Sequence, residues 1–287
     1  MIISRTPWVR QPQVWVCAKQ DGFLRNAGWI WNGGTPNWDL VSGNKWSNNG
    51  CGQTLSNYGR LIGDGTVDNG SYLSLSANAK NSDVSGAFCL VWIGMRWDTN
   101  NNYDCLLTNR CASNGNNIVE LDLWGAAGAD NNKPYFNIYD NGGTNYYTTI
   151  QSQSALPLQA LSVVVGVWNG ANLKLYQDGT LVATTAAATT MTSRSEGWRI
   201  GARYDGGSNN SGQAQAVLFA AYLRGERSAL EVAEFSKTST SYLRHLDFHR
   251  RKIWTPQAAG GLPTLSASTY VTGSLTSTGW RPQVTAT

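Results

Sequence analysis

The chain of 287 residues is long enough to bury a sizeable core, either as one sandwich of about 200 residues with terminal extensions or as two domains. Charged residues make up only 14% of it, whereas glycine contributes 31 residues and Asn, Ser and Thr are abundant, which is the composition of a turn-rich β protein with a weakly charged surface. The net charge of +4 is too small to indicate a nucleic-acid-binding protein.

The N-terminal residues 1–54 show no clear hydrophobic periodicity, so no stable helix is predicted there. Pro7 and Pro12 favour an extended arm over residues 5–13. Six tryptophans are scattered through the segment and are costly to leave in water: Trp8, Trp15, Trp29, Trp31, Trp38 and Trp46. We therefore expect the segment to wrap the rest of the chain, to lie in a subunit interface, or to do both.

The start of the chain lacks the apolar region of a signal peptide, and no stretch is apolar enough to be a transmembrane helix. We therefore expect no membrane association, and synthesis and assembly in a reducing cytoplasm. The odd count of five cysteines, with no C-x-x-C pair, argues against a zinc site. Cys89 lies in an apolar run and is predicted to be a buried thiol. Cys105 and Cys111 flank a loop and could pair, although nothing in the sequence requires it.

Short apolar runs alternate with turn-rich segments from residue 55 to residue 150, at the spacing of an antiparallel sandwich. The runs predict a strand that ends at Leu75 and further strands at Phe88–Arg96, Ile118–Trp124, Tyr135–Tyr139 and Asn145–Ile150.

The clearest strand pattern lies between residues 162 and 203. Val163–Trp168 is a continuous run rich in β-branched residues and is bounded by Asn169-Gly170, which predicts a buried strand of a sandwich. In the next predicted strand, Leu173–Gln177, alternation puts the two leucines on one face and Lys174 and Tyr176 on the other.

Asp178-Gly179 supplies the two positive-φ positions of a tight hairpin turn. Strands are predicted after it at Thr180–Thr184 and Trp198–Ala202.

The C-terminal part begins with a capping box, in which Ser228 and Glu231 predict a short helix that ends near Phe235. The basic stretch Tyr242–Lys252 is either a site for an acidic partner or a solvated surface. The Ser/Thr-rich stretch Thr255–Thr287 carries little charge, which is unusual for a free disordered tail, so we expect it to be docked.

Several motifs follow one another in a fixed order: D-N-G-S-Y-L-S-L at 68–75, G-A-F-C-L-V-W-I at 86–93, Trp168, L-K-L-Y-Q-D-G at 173–179, I-G at 200–201, the run 216–223 and the helix at 228. In this series the chain resembles the laminin-G-like, concanavalin-A-like jelly-roll family from about Gly59 to Phe235. The resemblance implies an all-β antiparallel jelly-roll sandwich with one short helix and extended N- and C-terminal arms.

The predicted organisation has three parts. Residues 1–54 form a Trp-rich N-terminal extension, residues 55–240 form the jelly roll, and residues 241–287 form a basic and then Ser/Thr-rich C-terminal arm. The fold alone does not decide the function, because lectins, adhesion modules, glycosidases and structural proteins share it.

A glycosidase of this fold would place its carboxylates on one strand, in the pattern E-x-D-x-E or E-x-D-x-x-E, so that they lie on the same face. Glu120 and Asp122 supply the first two positions, but Trp124 or Gly125 stands at the third. We therefore predict that the chain is not an enzyme. Glu120 and Asp122 are expected on the solvent face of a strand whose other face carries Val119, Leu121 and Leu123.

No cofactor is predicted. His245 and His249 are spaced i, i+4 but lack the H-E-x-x-H pattern of a zinc site. Calcium is common in the family and is the one candidate ion, with loop carboxylates as candidate ligands: Asp98, Asp104, Asp140 and Asp205.

The chain also resembles laminin-G-like proteins encoded by tailed bacteriophages, which carry a Trp- and Arg-rich arm before the sandwich and a Ser/Thr-rich tail after it. Gly279–Val284 repeats features of Trp8–Gln13. This resemblance implies a virion structural protein, either a capsid decoration, a head fibre or a tail component, that forms homo-oligomers and docks on other virion proteins. Candidate docking residues are Trp8, Arg10, Trp15, Arg250, Arg251, Trp280 and Arg281.

The alternative is a carbohydrate-binding adhesin module that recognises host-surface glycans, and a glycoside hydrolase is a third and weaker candidate. The position of the tryptophans separates the first two, because a structural protein buries them in interfaces whereas a lectin clusters them on one concave exposed surface.

Overall fold

The computed structural model describes residues 16–18, 23–31, 41, 43–49, 54–55, 59–62, 72–76, 83–96, 104–110, 117–124, 132–139, 146–187, 197–205, 208–210, 215–238, 241, 246–248, 271–276 and 279–284. In chain order these form strands β1 Val16–Ala18, β2 Ala27–Trp31, β3 Ser47–Asn49, β4 Thr54–Leu55, β5 Gly59–Ile62, β6 Tyr72–Leu75, β7 Phe88–Arg96, β8 Asp104–Arg110, β9 Asn117–Trp124, β10 Lys133–Tyr139, β11 Tyr146–Gln151, β12 Leu161–Trp168, β13 Asn172–Gln177, β14 Thr180–Ala186, β15 Trp198–Ile200, β16 Arg203–Asp205, β17 Ser208–Asn210, β18 Gln215–Arg224, helix α1 Ala229–Phe235, and strands β19 Leu246–Phe248, β20 Val271–Thr276 and β21 Gly279–Val284.

Two antiparallel sheets form a jelly-roll-like sandwich. The seven-stranded sheet has the order β11-β10-β9-β8-β15-β6-β3, and the eight-stranded sheet has the order β14-β13-β12-β7-β18-β5-β4, with β2 also paired to β18. The prediction of an all-β antiparallel sandwich with one short helix is confirmed for the part of the chain that is described. No helix in that part is long and apolar enough to cross a membrane.

Local sequence signals account for several of these elements. Asp178 and Gly179 adopt φ values of 50° and 83°, which gives the tight turn between β13 and β14. Helix α1 begins at the predicted capping box, in which Ser228 accepts from the Glu231 amide and Glu231 accepts from the Ser228 amide.

The central strands of the eight-stranded sheet, β7, β12 and β18, are buried on both faces, which explains the continuous apolar run in β12. Val164 and Trp168 face the core between the two sheets. Val163, Val165 and Val167 face a second apolar layer that α1 closes with its buried side chains Val232 and Phe235. The predicted buried thiol Cys89 lies in this second layer, and burial raises its pKa to about 12.

Part of the Trp-rich N-terminal segment belongs to the sandwich. Strand β2 pairs with β18 and β3 pairs with β6, so both contribute to the sheets. Trp29, Trp31 and Trp46 are fully buried in the core between the sheets. Trp29 packs edge-on against Trp46, with ring centroids 4.9 Å apart. The predicted boundary between residues 54 and 55 therefore separates strands that share a sheet in the structure.

The chain divides into two compact units, Met1–His249 and Arg250–Thr287. The first contains the sandwich and a two-stranded pairing of β1 with β19. The second contains the antiparallel hairpin of β20 and β21.

Candidate functional site

The outer face of the seven-stranded sheet carries a line of hydrogen-bonding side chains. The strand register places one residue from each strand side by side, in the order Ser47, Ser74, Arg199, Thr108, Glu120, Asn137 and Thr149. We call these seven residues the polar row. With strands about 4.8 Å apart, six gaps give the row a length of about 29 Å. This face contrasts with the outer face of the eight-stranded sheet, which is apolar and is covered by α1.

Two carboxylates lie near the middle of this face and are fully buried. Glu120 Oε2 accepts from the Tyr139 hydroxyl at 2.9 Å and from Asn137 Nδ2 at 3.3 Å. Asp122 Oδ2, in the adjacent line of the same face, accepts from the Tyr135 hydroxyl at 3.0 Å. A buried carboxylate requires such donors, because leaving it without them would cost several kcal/mol.

The expectation that Glu120 and Asp122 face solvent is wrong. Both point away from the core, as alternation requires, but both are fully buried. The neighbouring strand β10 contributes to this burial, because its Tyr135, Asn137 and Tyr139 side chains donate hydrogen bonds to the two carboxylates. Sequence alternation predicts the face of a strand but not which side chains of a neighbouring strand contact it.

The polar row reaches solvent at both ends. At one end, Ser47 is exposed and Tyr72 and Ser74 are half-buried. The Arg199 guanidinium lies 4.6 Å from the centroid of the Tyr72 ring, and Asn49 Nδ2 donates to Ser74 Oγ at 3.0 Å. We call these five residues the Tyr72 end.

At the other end of the row, Thr149 is exposed and Gln151 is half-buried. Asn137 Oδ1, next to Thr149 in the row, is buried and accepts no hydrogen bond in the structure. The face therefore has a covered centre with hydrogen-bonding side chains at two accessible ends.

The tryptophans do not form an exposed cluster in the described part of the chain. Six of the 13 are fully buried in the core between the sheets: Trp29, Trp31, Trp46, Trp92, Trp168 and Trp198. Among the side chains that are described, Tyr72 is an aromatic residue that is half-buried on the polar face.

Most of the candidate docking residues and candidate calcium ligands lie outside the described residues. These are Trp8, Arg10, Trp15, Asp98, Asp140, Arg250 and Arg251. His245 and His249 also lie outside the described residues. Trp280 and Arg281 lie on β21, Asp104 begins β8 and Asp205 ends β16. No group of three or more His, Cys, Asp or Glu side chains that could hold a metal ion occurs among the side chains that are described.

Sequence reasoning did not find the polar row. Its members lie on seven strands between Ser47 and Arg199, and only the antiparallel register brings them together. The one local signal was the alternation around Glu120, which located the correct face of β9.

A family model described as the concanavalin A-like lectin/glucanases superfamily, of the Laminin G type, matches residues 67–222, which is more than half of the chain. The chain belongs to this family. The laminin-G-like, concanavalin-A-like resemblance seen in the sequence is thereby confirmed. No curated protein matches the chain.

Solved structures of binding domains share this concanavalin A-like fold. The binding domain of botulinum neurotoxin DC in complex with SialylT has a TM-score of 0.56 and 10% identity, over 76% of this chain and 52% of that one. The ligand binding domain of botulinum neurotoxin serotype D in complex with N-acetylneuraminic acid has a TM-score of 0.54 and 11% identity, over 74% and 50%.

The binding domain of Paraclostridial Mosquitocidal Protein 1 has a TM-score of 0.55 and 11% identity, over 75% and 52%. The chain thus spans about half the length of these structures. At such identities the likeness establishes the fold alone.

Proposed function

We propose that the protein is a non-enzymatic carbohydrate-binding module and that it binds glycans on the outer face of the seven-stranded sheet. The observation that carries the proposal is the polar row. Sugar hydroxyls need both donors and acceptors, and sugar rings need an apolar or aromatic surface against which to pack. The Tyr72 end offers hydroxyl, amide and guanidinium groups beside a half-buried aromatic ring.

The comparisons support the same class of function. The titles of two structures with this fold name a sialylated ligand or N-acetylneuraminic acid, and the family description includes lectins. The identity of the glycan is open to experiment, because identities of about 10% do not carry a ligand from one protein to another.

Glycan-array binding of the full chain tests the proposal. We expect Tyr72→Ala and Asn49→Ala each to weaken binding of any captured glycan about fivefold, since a lost aromatic contact or hydrogen bond is worth about 1 kcal/mol. Leu230→Ala is the control, because Leu230 is 73% exposed on α1, which packs on the other sheet. Melting curves establish that each variant is folded.

Two results would contradict the proposal. A chain that captures no glycan is not a carbohydrate-binding module, and binding unaffected by Tyr72→Ala and Asn49→Ala places the site elsewhere. Release of reducing sugar from a captured glycan would contradict the non-enzymatic part. We expect none, because the strand of Glu120 and Asp122 lacks a third carboxylate.

A second candidate is a phage virion structural protein that docks through its terminal arms. The observation that favours it is that Arg250–Thr287 forms a compact unit of its own, whose hairpin strand β21 carries Trp280 and Arg281. Immunogold labelling of particles from the source lysate is expected to mark the head or the tail, and removal of Trp280 and Arg281 side chains is expected to abolish the label. A protein that is always free of particles would contradict this candidate.

A further inference from the structure

Two buried polar atoms without a hydrogen-bond partner lie at the end of the polar row that is opposite the Tyr72 end. The register of β10 and β11 places Asn137, Thr149 and Gln151 together there on the outer face, and we call these three residues the Thr149 end. Asn137 Oδ1 accepts no hydrogen bond and Gln151 Nε2 donates none, although both atoms are buried. An unpartnered buried donor or acceptor costs about 1–3 kcal/mol, so a ligand that pairs with both atoms would recover part of that cost.

The hydrogen bond to Glu120 fixes the orientation of the Asn137 amide. Asn137 Nδ2 donates to Glu120 Oε2 at 3.3 Å, and a carboxylate accepts rather than donates, so the nitrogen and oxygen of the amide cannot be exchanged. The oxygen and nitrogen of an amide diverge from their shared carbon. Asn137 Oδ1 is therefore directed away from Glu120 and stays available as an acceptor.

The Thr149 end lies at an edge of the sheet and is accessible from solvent. Strand β11 is the terminal strand of the seven-stranded sheet, and no described strand pairs with its outer side. Thr149 is exposed and Gln151 is half-buried, whereas Asn137 is 1% exposed. The Gln151 side chain has three rotatable bonds, so it can turn to admit a ligand group to the buried Asn137 Oδ1.

The spacing of the two unpartnered atoms selects the ligand group. Asn137 lies opposite Thr149, so Gln151 is its diagonal neighbour, and such neighbours are about 7 Å apart. A single hydroxyl oxygen that bonds both atoms spans at most about 6 Å, because each hydrogen bond is about 2.9 Å long. A secondary amide spans about 8 Å, because its N–H and C=O point to opposite sides and its nitrogen and oxygen are separate atoms.

We propose that the Thr149 end is a second subsite of the carbohydrate-binding face and that it binds the acetamido group of an N-acetylated sugar. The inference rests on the proposed function and names the class of sugar. The acetamido N–H donates to Asn137 Oδ1, and the acetamido carbonyl oxygen accepts from Gln151 Nε2. A sugar with a hydroxyl in place of this group leaves one of the two protein atoms unpartnered, which disfavours its binding.

Titration calorimetry of the full chain with chitohexaose and cellohexaose tests the subsite. The two oligosaccharides share a β-1,4-linked backbone and differ at one carbon of each ring, where chitohexaose carries an acetamido group and cellohexaose a hydroxyl. We expect chitohexaose to bind at least about tenfold more tightly. In Gln151→Met, which keeps the length of the side chain but cannot donate, this preference is expected to fall to within about twofold.

Gln159→Met is the matched control. Gln159 is exposed, and its amide donates to the Arg96 carbonyl at the end of β7, which belongs to the other sheet. The preference for chitohexaose is expected to survive in this variant. Tyr72→Ala is expected to weaken both oligosaccharides alike and to leave the preference in place, because Tyr72 lies at the other end of the row. Melting curves establish that each variant is folded.

The wild type alone gives a second readout that no variant can confound. In nuclear magnetic resonance spectra, the side-chain amide signals of Gln151 are expected to shift on addition of chitohexaose and to stay in place on addition of cellohexaose. Equal binding of the two oligosaccharides, or a preference that Gln151→Met leaves intact, would overturn the subsite while leaving the carbohydrate-binding function standing. Failure to bind either oligosaccharide would also overturn it, and only a chain that captures no glycan on an array would overturn both.

Discussion

At the scale of single residues, Gly94 in β7 shows how tightly the core is packed. A Cβ atom at this position would lie 2.6 Å from the carbonyl oxygen of Ala216 and 2.5 Å from a ring carbon of the buried Trp92. Neither group can move away easily, because the Ala216 carbonyl belongs to the backbone of the adjacent strand β18 and the Trp92 ring is enclosed by the core. We expect Gly94→Ala to lower the free energy of unfolding by about 3 kcal/mol, measured by urea denaturation.

Ser162 is the matched control for Gly94. It lies opposite Gly94 on β12, is buried, and its hydroxyl has no hydrogen-bond partner. Ser162→Ala removes a buried polar atom and creates no clash, so we expect a change within about 0.5 kcal/mol. Equal destabilisation by both substitutions would show that the Cβ contacts at Gly94 are not the cause.

Glu231 gives a pH-dependent prediction. Burial alone would raise its pKa, but hydrogen bonds from the Arg25 side chain and from the amide and hydroxyl of Ser228 outweigh this and lower the pKa from 4.5 to about 2. Because the folded-state pKa is the lower one, Glu231 stabilises the fold fully above pH 4.5 and loses this contribution as pH falls toward 2.

We expect Glu231→Gln to cost about 1–2 kcal/mol at pH 7, since a capping box and a partly exposed ion pair contribute about 1 kcal/mol each. The difference between wild type and variant should shrink between pH 4.5 and about pH 2, as followed by denaturation at each pH. Glu234→Gln, at an exposed position on the same helix, is the control. A difference that does not change with pH would contradict the assignment.

At the scale of elements, β9 and β10 are joined on their outer face by hydroxyl–carboxylate bonds. Tyr139→Phe removes the 2.9 Å bond to Glu120, and we expect it to cost about 2 kcal/mol, because a hydrogen bond to a buried carboxylate is worth about 1.5–3 kcal/mol. Tyr222→Phe is the matched control, since its hydroxyl bonds a backbone carbonyl, which is a neutral acceptor, and should cost less.

A double-mutant cycle tests whether Tyr139 acts through Glu120. The cost of Tyr139→Phe should be smaller in a Glu120→Gln background, because the acceptor is then neutral. Free energies of unfolding of the four proteins measure this coupling. Additive costs would mean that Tyr139 contributes through packing alone.

The elements that sequence reasoning predicted are those whose signal is local. The positive-φ pair Asp178 and Gly179 sets its own hairpin, and Ser228 with Glu231 sets the start of α1, because each signal acts within four residues. The elements it missed depend on distant partners. Residues around Trp29 show no periodicity and become a strand only because β18 provides an edge and the core accepts the indole ring.

The features of the candidate site also divide into those that a local sequence signal predicts and those that depend on distant partners. Alternation in β9 placed Glu120 and Asp122 on the face opposite Leu121, which is the correct face. The contacts of both carboxylates with β10 and the alignment of Glu120 with Arg199 depend on the register of the strands. Contacts and alignments between distant strands are properties of the tertiary structure, and the spacing of residues along the sequence does not predict them.

At the scale of the whole molecule, the chain divides into two compact units, Met1–His249 and Arg250–Thr287. Residues before position 50 supply β2 and β3 and three fully buried tryptophans to the sandwich. The residues from Arg250 onward instead form a compact unit of their own. The two ends of the chain should therefore respond differently to truncation.

We expect removal of residues 1–54 to unfold the sandwich, because it deletes three buried indole rings and exposes the edge of β18, and the loss of one buried tryptophan already costs about 3–5 kcal/mol. Removal of residues 250–287 is the matched truncation and should leave the melting temperature within a few degrees, because it takes away one whole compact unit. Near-UV circular dichroism during heating measures both, since buried tryptophans give a signal only when they are fixed in a packed core.

A cooperative melt in the N-terminal truncation would mean that β2 and β3 are accessory to the fold. Loss of the melt in the C-terminal truncation would mean that the second unit is required for the first to fold.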